Sequence, residues 1–569
     1  MKIKSINKYA VILFLVILFH ISNNIYFLNQ DTSPLMWDTN LRQEFSLRNY
    51  GQLKDGNFFG LLNQYIFFYD PPLSTYPAFF LYFLFGTFQD IFSLQGTIFL
   101  IILIIATYLL GKELFNRDVG LLAAVLISFS PFILAISRMP FEDIAFAAMF
   151  TLTLYFFLKS KKFSDIKYTW FFNISLGMTQ LSKFSAVIII ALISMTYIII
   201  KAFFDKKDFK NFFNKLKKRN LVHFIISLII SIIVPIVYYS TSWLRRVTDV
   251  YTVFNISEID FNIFPIILNY LRMFGLNFEH ISIFILFILS FIFFLVFSKK
   301  NKLLVISIIV AANLYNVLLL YLLPLFIFYI PRYLLFINPL AFIIISFFLV
   351  YCFHPFIGKL LKRINKKKIK KETYIFSLVL LSVIVLVPFT LIINYTGFLN
   401  KFSDYQPYGL YKPVKVPFDS KKIADGLVSD PNRNYTIFIF SPMNDFIITF
   451  NSYILHSYED VEIINTFFND PGFEFREGFI KPYKEYGSLI RNGFFQVQKL
   501  DDFDYIIIRD KSNWSEPRPF LTDKEYREFY NQTLQILAYI GDNLQRFQLI
   551  KKIQIDKFNT TILIYEKNN

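Results

Sequence analysis

Runs of about twenty residues that carry almost no charge recur along the chain, each long enough as a helix to cross about 30 Å of hydrocarbon. They span Tyr9 to Leu28, Phe92 to Leu110, Val119 to Ile136, Phe141 to Leu158 and Tyr168 to Leu181. Others follow at Phe184 to Ile200, Leu221 to Tyr239, Ile281 to Phe297, Leu303 to Leu323, Leu334 to Phe353 and Tyr374 to Ile393. The pattern predicts a polytopic α-helical membrane protein with eleven transmembrane helices. The first run follows Lys2, Lys4 and Lys8 and has no small-residue cleavage site before Asn29, so it reads as a retained span and not a signal peptide.

The polar stretches between the runs set the orientation. Lysine-rich segments at 112–117, 159–167, 201–219, 299–302 and 359–371, with the N-terminus, hold about 28 of the 58 Lys and Arg but about 6 of the 41 Asp and Glu. With the N-terminus inside, eleven spans put all of them on the cytoplasmic side, as the positive-inside rule requires. Two ambiguous stretches follow from the same parity. Leu73 to Phe88 reads as a juxtamembrane helix at the outer surface, because a span there would turn every later lysine-rich loop outward. Tyr168 to Ile200 reads as two short spans with Lys183 at an outward bend, because one helix of about 50 Å exceeds the bilayer.

The outer regions are a first loop over 29–91, a second over 241–280, and everything after Asn394. The predicted organisation is a transmembrane domain over 1–395 and an extracytoplasmic α/β domain over 396–569. In that tail Tyr435 to Phe440, Asp504 to Ile508 and Thr560 to Tyr565 are β-rich, while Asp419 to Val428 and Lys524 to Arg546 have helical patterning. Composition agrees: 55% of residues are hydrophobic, 17% are charged, and mean hydropathy is +0.47. A purely soluble enzyme is excluded. The net charge of +17 lies in the cytoplasmic loops, so it marks topology and no nucleic-acid partner is expected. The lone cysteine, Cys352, cannot form an intrachain disulfide.

Ionisable residues collect at the outer ends of the spans. Asp38 lies just beyond the first, and Ser137-Arg138-Met139-Pro140-Phe141-Glu142-Asp143 joins the third to the fourth. Lys183 and Arg332, the latter in Tyr329-Ile330-Pro331-Arg332-Tyr333, each top an apolar hairpin. Taken singly, Glu142 and Asp143 are explained by a helix N-terminus, and the cations by snorkelling to lipid headgroups. Together, carboxylates that can take a proton from a hydroxyl and cations that can neutralise a phosphate describe a site for a charged lipid at the membrane surface. No His/Cys cluster is present, so a divalent metal is not expected.

Over roughly the first 350 residues the chain resembles the GT-C glycosyltransferases that use polyprenyl-phosphate sugars, near the protein O-mannosyltransferases and the lipid A aminoarabinose transferases. The likeness is carried by Asp38-Thr39, Asp70-Pro71-Pro72-Leu73, Arg138 with Asp143, Leu181-Ser182-Lys183 and Pro331-Arg332-Tyr333-Leu334-Leu335. It is also carried by Tyr108-Leu109-Leu110-Gly111-Lys112-Glu113-Leu114-Phe115 and the following Val119-Gly120-Leu121-Leu122-Ala123-Ala124. Thr39 stands where relatives often have Glu, and Asp70 where many have Lys.

The resemblance implies a GT-C-like fold in the plasma membrane and inverting transfer of a sugar, mannosyl-like among hexosyl and pentosyl groups. The donor is a polyprenyl-phosphate sugar, and the acceptor is a hydroxyl of a protein, lipid or glycan. Asp38 is the expected general base, and Asp143 orients the acceptor or shares that role. Lys183 and Arg332 hold the departing phosphate, and Arg138 pairs with Asp143 or joins them. Glu142, Asp70 and Tyr333 are accessory candidates. A lipid or glycan transporter or flippase is the alternative, and a membrane-anchored scaffold a third. The gathering of ionisable residues at one face, instead of near the midplane, disfavours transport. A tail without a Trp-Trp-Asp run disfavours oligosaccharide transfer to asparagine.

Overall fold

The structure, a computed structural model, describes residues 8–31, 38–54, 56–59, 71–87, 89–139, 141–161, 163–183, 185–204, parts of 222–235, 281–298, 301–322, 330–353, 371–396, 435–440, 461–465, 504–510, 534, 536–555 and 560–568. The chain divides into two compact units. One comprises Met1–Tyr26, Gly51–Ala78 and Ser93–Lys412; the other comprises Phe27–Tyr50, Phe79–Phe92 and Pro413–Asn569.

The helices are α1 (Lys8–Gln30), α2 (Asp38–Lys54), α3 (Tyr76–Phe85), α4 (Gln89–Leu114), α5 (Arg117–Ser128), α6 (Pro131–Arg138) and α7 (Glu142–Lys159). They continue as α8 (Ile166–Gln180), α9 (Ala186–Phe204), α10 (Ile281–Phe297), α11 (Lys302–Leu322), α12 (Asn338–Phe348) and α13 (Lys371–Thr396). Short 3-10 segments occupy Pro72–Ser74 and Ile330–Ile337, the second running directly into α12. Among the described residues four helices are long and apolar enough to cross a membrane: Lys8–Gln30, Asp90–Leu114, Ala186–Phe204 and Leu334–Cys352.

Two expectations about helix breaks meet the structure differently. The run Val119 to Ile136, expected as one span, is α5 and α6 bent by 61°. The cause is local. Pro131 starts α6, and the Ser130 hydroxyl caps it by accepting from Ile133 N–H, so the ladder must restart there. The run Tyr168 to Ile200 is two helices, α8 ending at Gln180 and α9 starting at Ala186, with Lys183 in the turn between them. The stretch read as juxtamembrane holds the ten-residue α3, about 15 Å long and half of what a span needs.

The first unit is a helical bundle. Buried faces of α4, α5, α6, α7 and α12 form its core, where α5 contributes Leu121, Leu122, Ala123 and Ala124 and α12 contributes Ala341, Ile343 and Ile344. α5 packs on α12, α7 on α8, and α9 on α11. The turn from α4 to α5 is closed by a glycine pair. A Cβ on Gly120 would lie 2.5 Å from the Tyr108 carbonyl oxygen and 2.8 Å from the Lys112 amide. Asn116 caps α5 with its side-chain oxygen, which accepts from the amides of Asp118 and Val119.

In the second unit, Tyr50 of α2 meets Phe83 of α3 with ring centroids 4.9 Å apart. A five-stranded mixed sheet is ordered β2-β1-β3-β5-β4, where β1 is Tyr435–Phe440, β2 Val461–Asn465, β3 Tyr505–Asp510, β4 Phe547–Ile555 and β5 Thr560–Lys567. β1 runs parallel to β2 and β3, while β5 is antiparallel to β3 and β4. Ile536 and Ile540, one helical turn apart, cover Ile506, Ile508 and Phe547. Strands β2 and β4 were not foreseen. Phe547-Gln548-Leu549-Ile550-Lys551-Lys552 lacks clean alternation, and a bulge between Leu549 and Lys551 shifts its register. The predicted helix Asp419 to Val428 lies outside the described residues.

Gly120→Val forces side-chain atoms into backbone that cannot yield, and is expected to cost at least about 1–3 kcal/mol. Gly541→Ala, with open space around its Cβ, is expected to cost nothing. Thermal melting of the detergent-solubilised protein checks the contrast.

Candidate active site

Glu142 and Asp143 are the first two residues of α7. Phe141 holds the cap position and has no side-chain oxygen to offer, so the carboxylates are what face the positive end of the helix dipole. Asp143 is buried at 2% exposure. Across from it the turn between α8 and α9 carries Lys183, also 2% exposed, whose ammonium donates to Asp143 Oδ1 and lies 3.8 Å from Glu142 Oε1. One ammonium therefore serves two carboxylates.

Two further segments pack against α7. The 3-10 segment Pro72–Ser74 contacts it, and the Leu73 amide donates to the Leu181 carbonyl at 3.1 Å. That bond ties the Pro-Pro-Leu element to the turn that holds Lys183. The second segment, Ile330–Ile337, carries Arg332 and Tyr333 and also packs on α7. Phe336 anchors it, with its ring 5.4 Å from Phe146 and 5.5 Å from Phe150. Phe146 lies three residues beyond Asp143, on the adjoining turn of α7.

Arg138 ends α6 and is 2% exposed. Its Nε donates to Asn24 Oδ1 at 3.1 Å. The Asn24 amide donates in turn to Thr97 Oγ1 at 3.0 Å and Ser137 Oγ at 3.1 Å. The remaining expected residues fall partly outside the description. Asp38 is the first residue of α2, but its side chain lies outside the described residues, as do the side chains of Arg332 and Tyr333 and the whole of Asp70. The structure thus brings Glu142, Asp143 and Lys183 into contact, and sets the segment that bears Arg332 on the same helix. Among the described residues no group of three His, Cys, Asp or Glu side chains could hold a metal ion.

Sequence reasoning missed Asn24, Thr97 and Ser137. A signal was present, because His20, Asn23 and Asn24 interrupt the apolar first span, and polar groups inside a membrane must find partners.

Residues 69–239 match the sequence profile of the dolichyl-phosphate-mannose-protein mannosyltransferase family. No curated protein matches the chain by sequence. Among solved structures, the chain is similar to ArnT from Cupriavidus metallidurans bound to undecaprenyl phosphate, with a TM-score of 0.52, 11% identity and 98% of each chain covered. It is equally similar to the apo state of that protein, with a TM-score of 0.51, 11% identity and 97% of each chain covered. The fold is of the GT-C type. A looser likeness links the chain to the archaeal oligosaccharyltransferase AglB from Archaeoglobus fulgidus, with a TM-score of 0.46 and 12% identity over 96% of this chain and 79% of that one. The likeness to ArnT runs almost end to end, so it takes in the tail, where the sequence motifs give out. The transporter alternative has no counterpart among these likenesses.

Because Asp143 and Lys183 are both buried, removing Lys183 takes from Asp143 the ammonium bound to it, and removing Asp143 leaves Lys183 the more distant Glu142. Asp143→Ala and Lys183→Met are each expected to destabilise the chain by about 3–5 kcal/mol, and the double variant by less than their sum. A double-mutant cycle on melting temperature measures the coupling.

Proposed function

We propose that this chain transfers a sugar from a polyprenyl-phosphate donor to an acceptor hydroxyl, with inversion, on the non-cytoplasmic side of the plasma membrane. The observation that carries the proposal is the buried Lys183 ammonium shared by Asp143 and Glu142 at the head of α7, within a GT-C fold. Buried ion pairs are poor stabilisers, because desolvation offsets most of their attraction. Such a cluster is retained more readily for its chemistry than for its contribution to folding.

In this mechanism Asp38 accepts the proton as the acceptor oxygen bonds to the anomeric carbon. The bond from that carbon to the phosphate oxygen breaks on the opposite face, and its electron pair leaves with the polyprenyl phosphate. A carboxylate serves as base near neutral pH because the hydroxyl loses its proton mainly in the transition state. Lys183, Arg332 and Arg138 meet the charge that grows on the phosphate, where poor hydration makes fixed cations more effective than in water. Lys183, bonded to Asp143, also holds that carboxylate in place beside the acceptor. Glu142, Asp70 and Tyr333 have accessory roles in this reading. The transferred group is a hexosyl or pentosyl unit, mannosyl-like, and the acceptor is a protein, lipid or glycan. The N-terminus is cytoplasmic, residues 1–395 form the transmembrane glycosyltransferase domain, and 396–569 form the extracytoplasmic domain.

Asp38→Asn is expected to lower transfer from a labelled polyprenyl-phosphate sugar by about 100- to 10,000-fold with folding intact. Near-normal turnover would remove Asp38 as base. Arg332→Ala is expected to weaken undecaprenyl phosphate binding about tenfold or more while acceptor affinity stays within about twofold. Equal losses for both ligands would count against a phosphate role.

A further inference from the structure

Polar side chains inside the first span are unexpected, because that span needs only to cross the membrane. Asn24 is fully buried, and its hydrogen bonds leave its amide one orientation. Arginine has donors alone, so Asn24 must turn its oxygen to Arg138 Nε. Its amide hydrogens then go to Thr97 and Ser137. Ser137 can accept because its own hydroxyl proton is spent on the Leu134 carbonyl, at 2.8 Å. Three helices thus meet at one amide: α1 through Asn24, α4 through Thr97 and α6 through Ser137 and Arg138. The approach is close, because a Cβ on Gly96, beside Thr97, would overlap the Ser137 carbonyl.

Arg138 is the last residue of α6, and three residues separate it from Glu142 at the start of α7. Whatever fixes its guanidinium also fixes the end of the connector from which Glu142 and Asp143 emerge. With Nε committed to Asn24, the guanidinium plane is set and its two terminal nitrogens take defined directions. We infer that Asn24 is a positioning residue that acts through Arg138, orienting the guanidinium for the phosphate of the lipid carrier. The inference rests on the proposed donor site and adds to it a residue from the first transmembrane helix. Asn24 itself touches neither substrate nor reacting atoms.

The test measures Kd for undecaprenyl phosphate in nanodiscs containing the full chain, with melting temperature recorded alongside. Asn24→Leu, close in volume but unable to accept, is expected to raise Kd about tenfold. Asn24→Asp keeps the acceptor and is expected to return within about threefold of wild type. Arg138→Leu with Asn24→Leu is expected to bind no more weakly than Arg138→Leu alone. Losses that multiply in the double variant, or an Asn24→Asp variant worse than Asn24→Leu, would overturn the inference and leave the proposed donor intact. A wild-type chain that binds no undecaprenyl phosphate would instead remove the donor proposal, and this inference with it.

Discussion

A buried ammonium between two carboxylates governs one end of the helical bundle. Lys183 lies in a turn and Glu142 and Asp143 open a helix, so the pair joins segments forty residues apart in sequence. Each charge is intolerable there without the other, which makes the contact a constraint on the α8–α9 turn and on the start of α7 alike. Leu73, bonded to Leu181, and the 3-10 segment that bears Arg332 then take their places against the same helix. The cluster is therefore less a source of stability than a fixed point around which four segments of distant sequence are held.

Fixing charge in advance is what glycosyl transfer from a lipid phosphate requires. The leaving group gains charge as the anomeric bond breaks, and groups already in position stabilise it without reorganising. Basic residues near a membrane border would ordinarily extend to headgroups and remain mobile. Here Lys183 is held by carboxylates and Arg138 by Asn24, and both are buried. The bend between α5 and α6 contributes to the same end. A proline-started short helix turns the chain by 61° and delivers Arg138 into the bundle, where a straight continuation of α5 would carry it elsewhere.

Much of this was legible in the order of residues. Hydrophobic length marked out the apolar runs that become α1, α4, α9 and α12, because burying a charge in hydrocarbon is costly enough to leave its mark on composition. The split at Lys183 followed from bilayer thickness, and α8 and α9 end and begin on either side of it. Glu142, Asp143 and Lys183 were marked as candidates because charges beside an apolar run need an explanation. Tyr435 to Phe440, Asp504 to Ile508 and Thr560 to Tyr565 stood out as β-rich runs and fall on β1, β3 and β5, whereas β2 and β4 did not stand out, being short or bulged.

What the linear pattern could not supply was partnership. Helix α7 alone fits two acids at a helix N-terminus equally well with solvation or with an ion pair; only the turn folded over it chooses Lys183. Arg138 had two candidate partners, and the structure adds Asn24, 114 residues away, which no local spacing relates to it. Ser130-Pro131 lies inside a run expected as one span, and the effect of the bend there depends on where α6 is received. Sequence by itself determined which segments are apolar enough for a membrane and which residues are too polar to lie there idle, because transfer free energy is a property of each residue. Tertiary structure decided which of those residues meet, because a hydrogen bond or an ion pair exists only when two groups are brought within about 3 Å of each other.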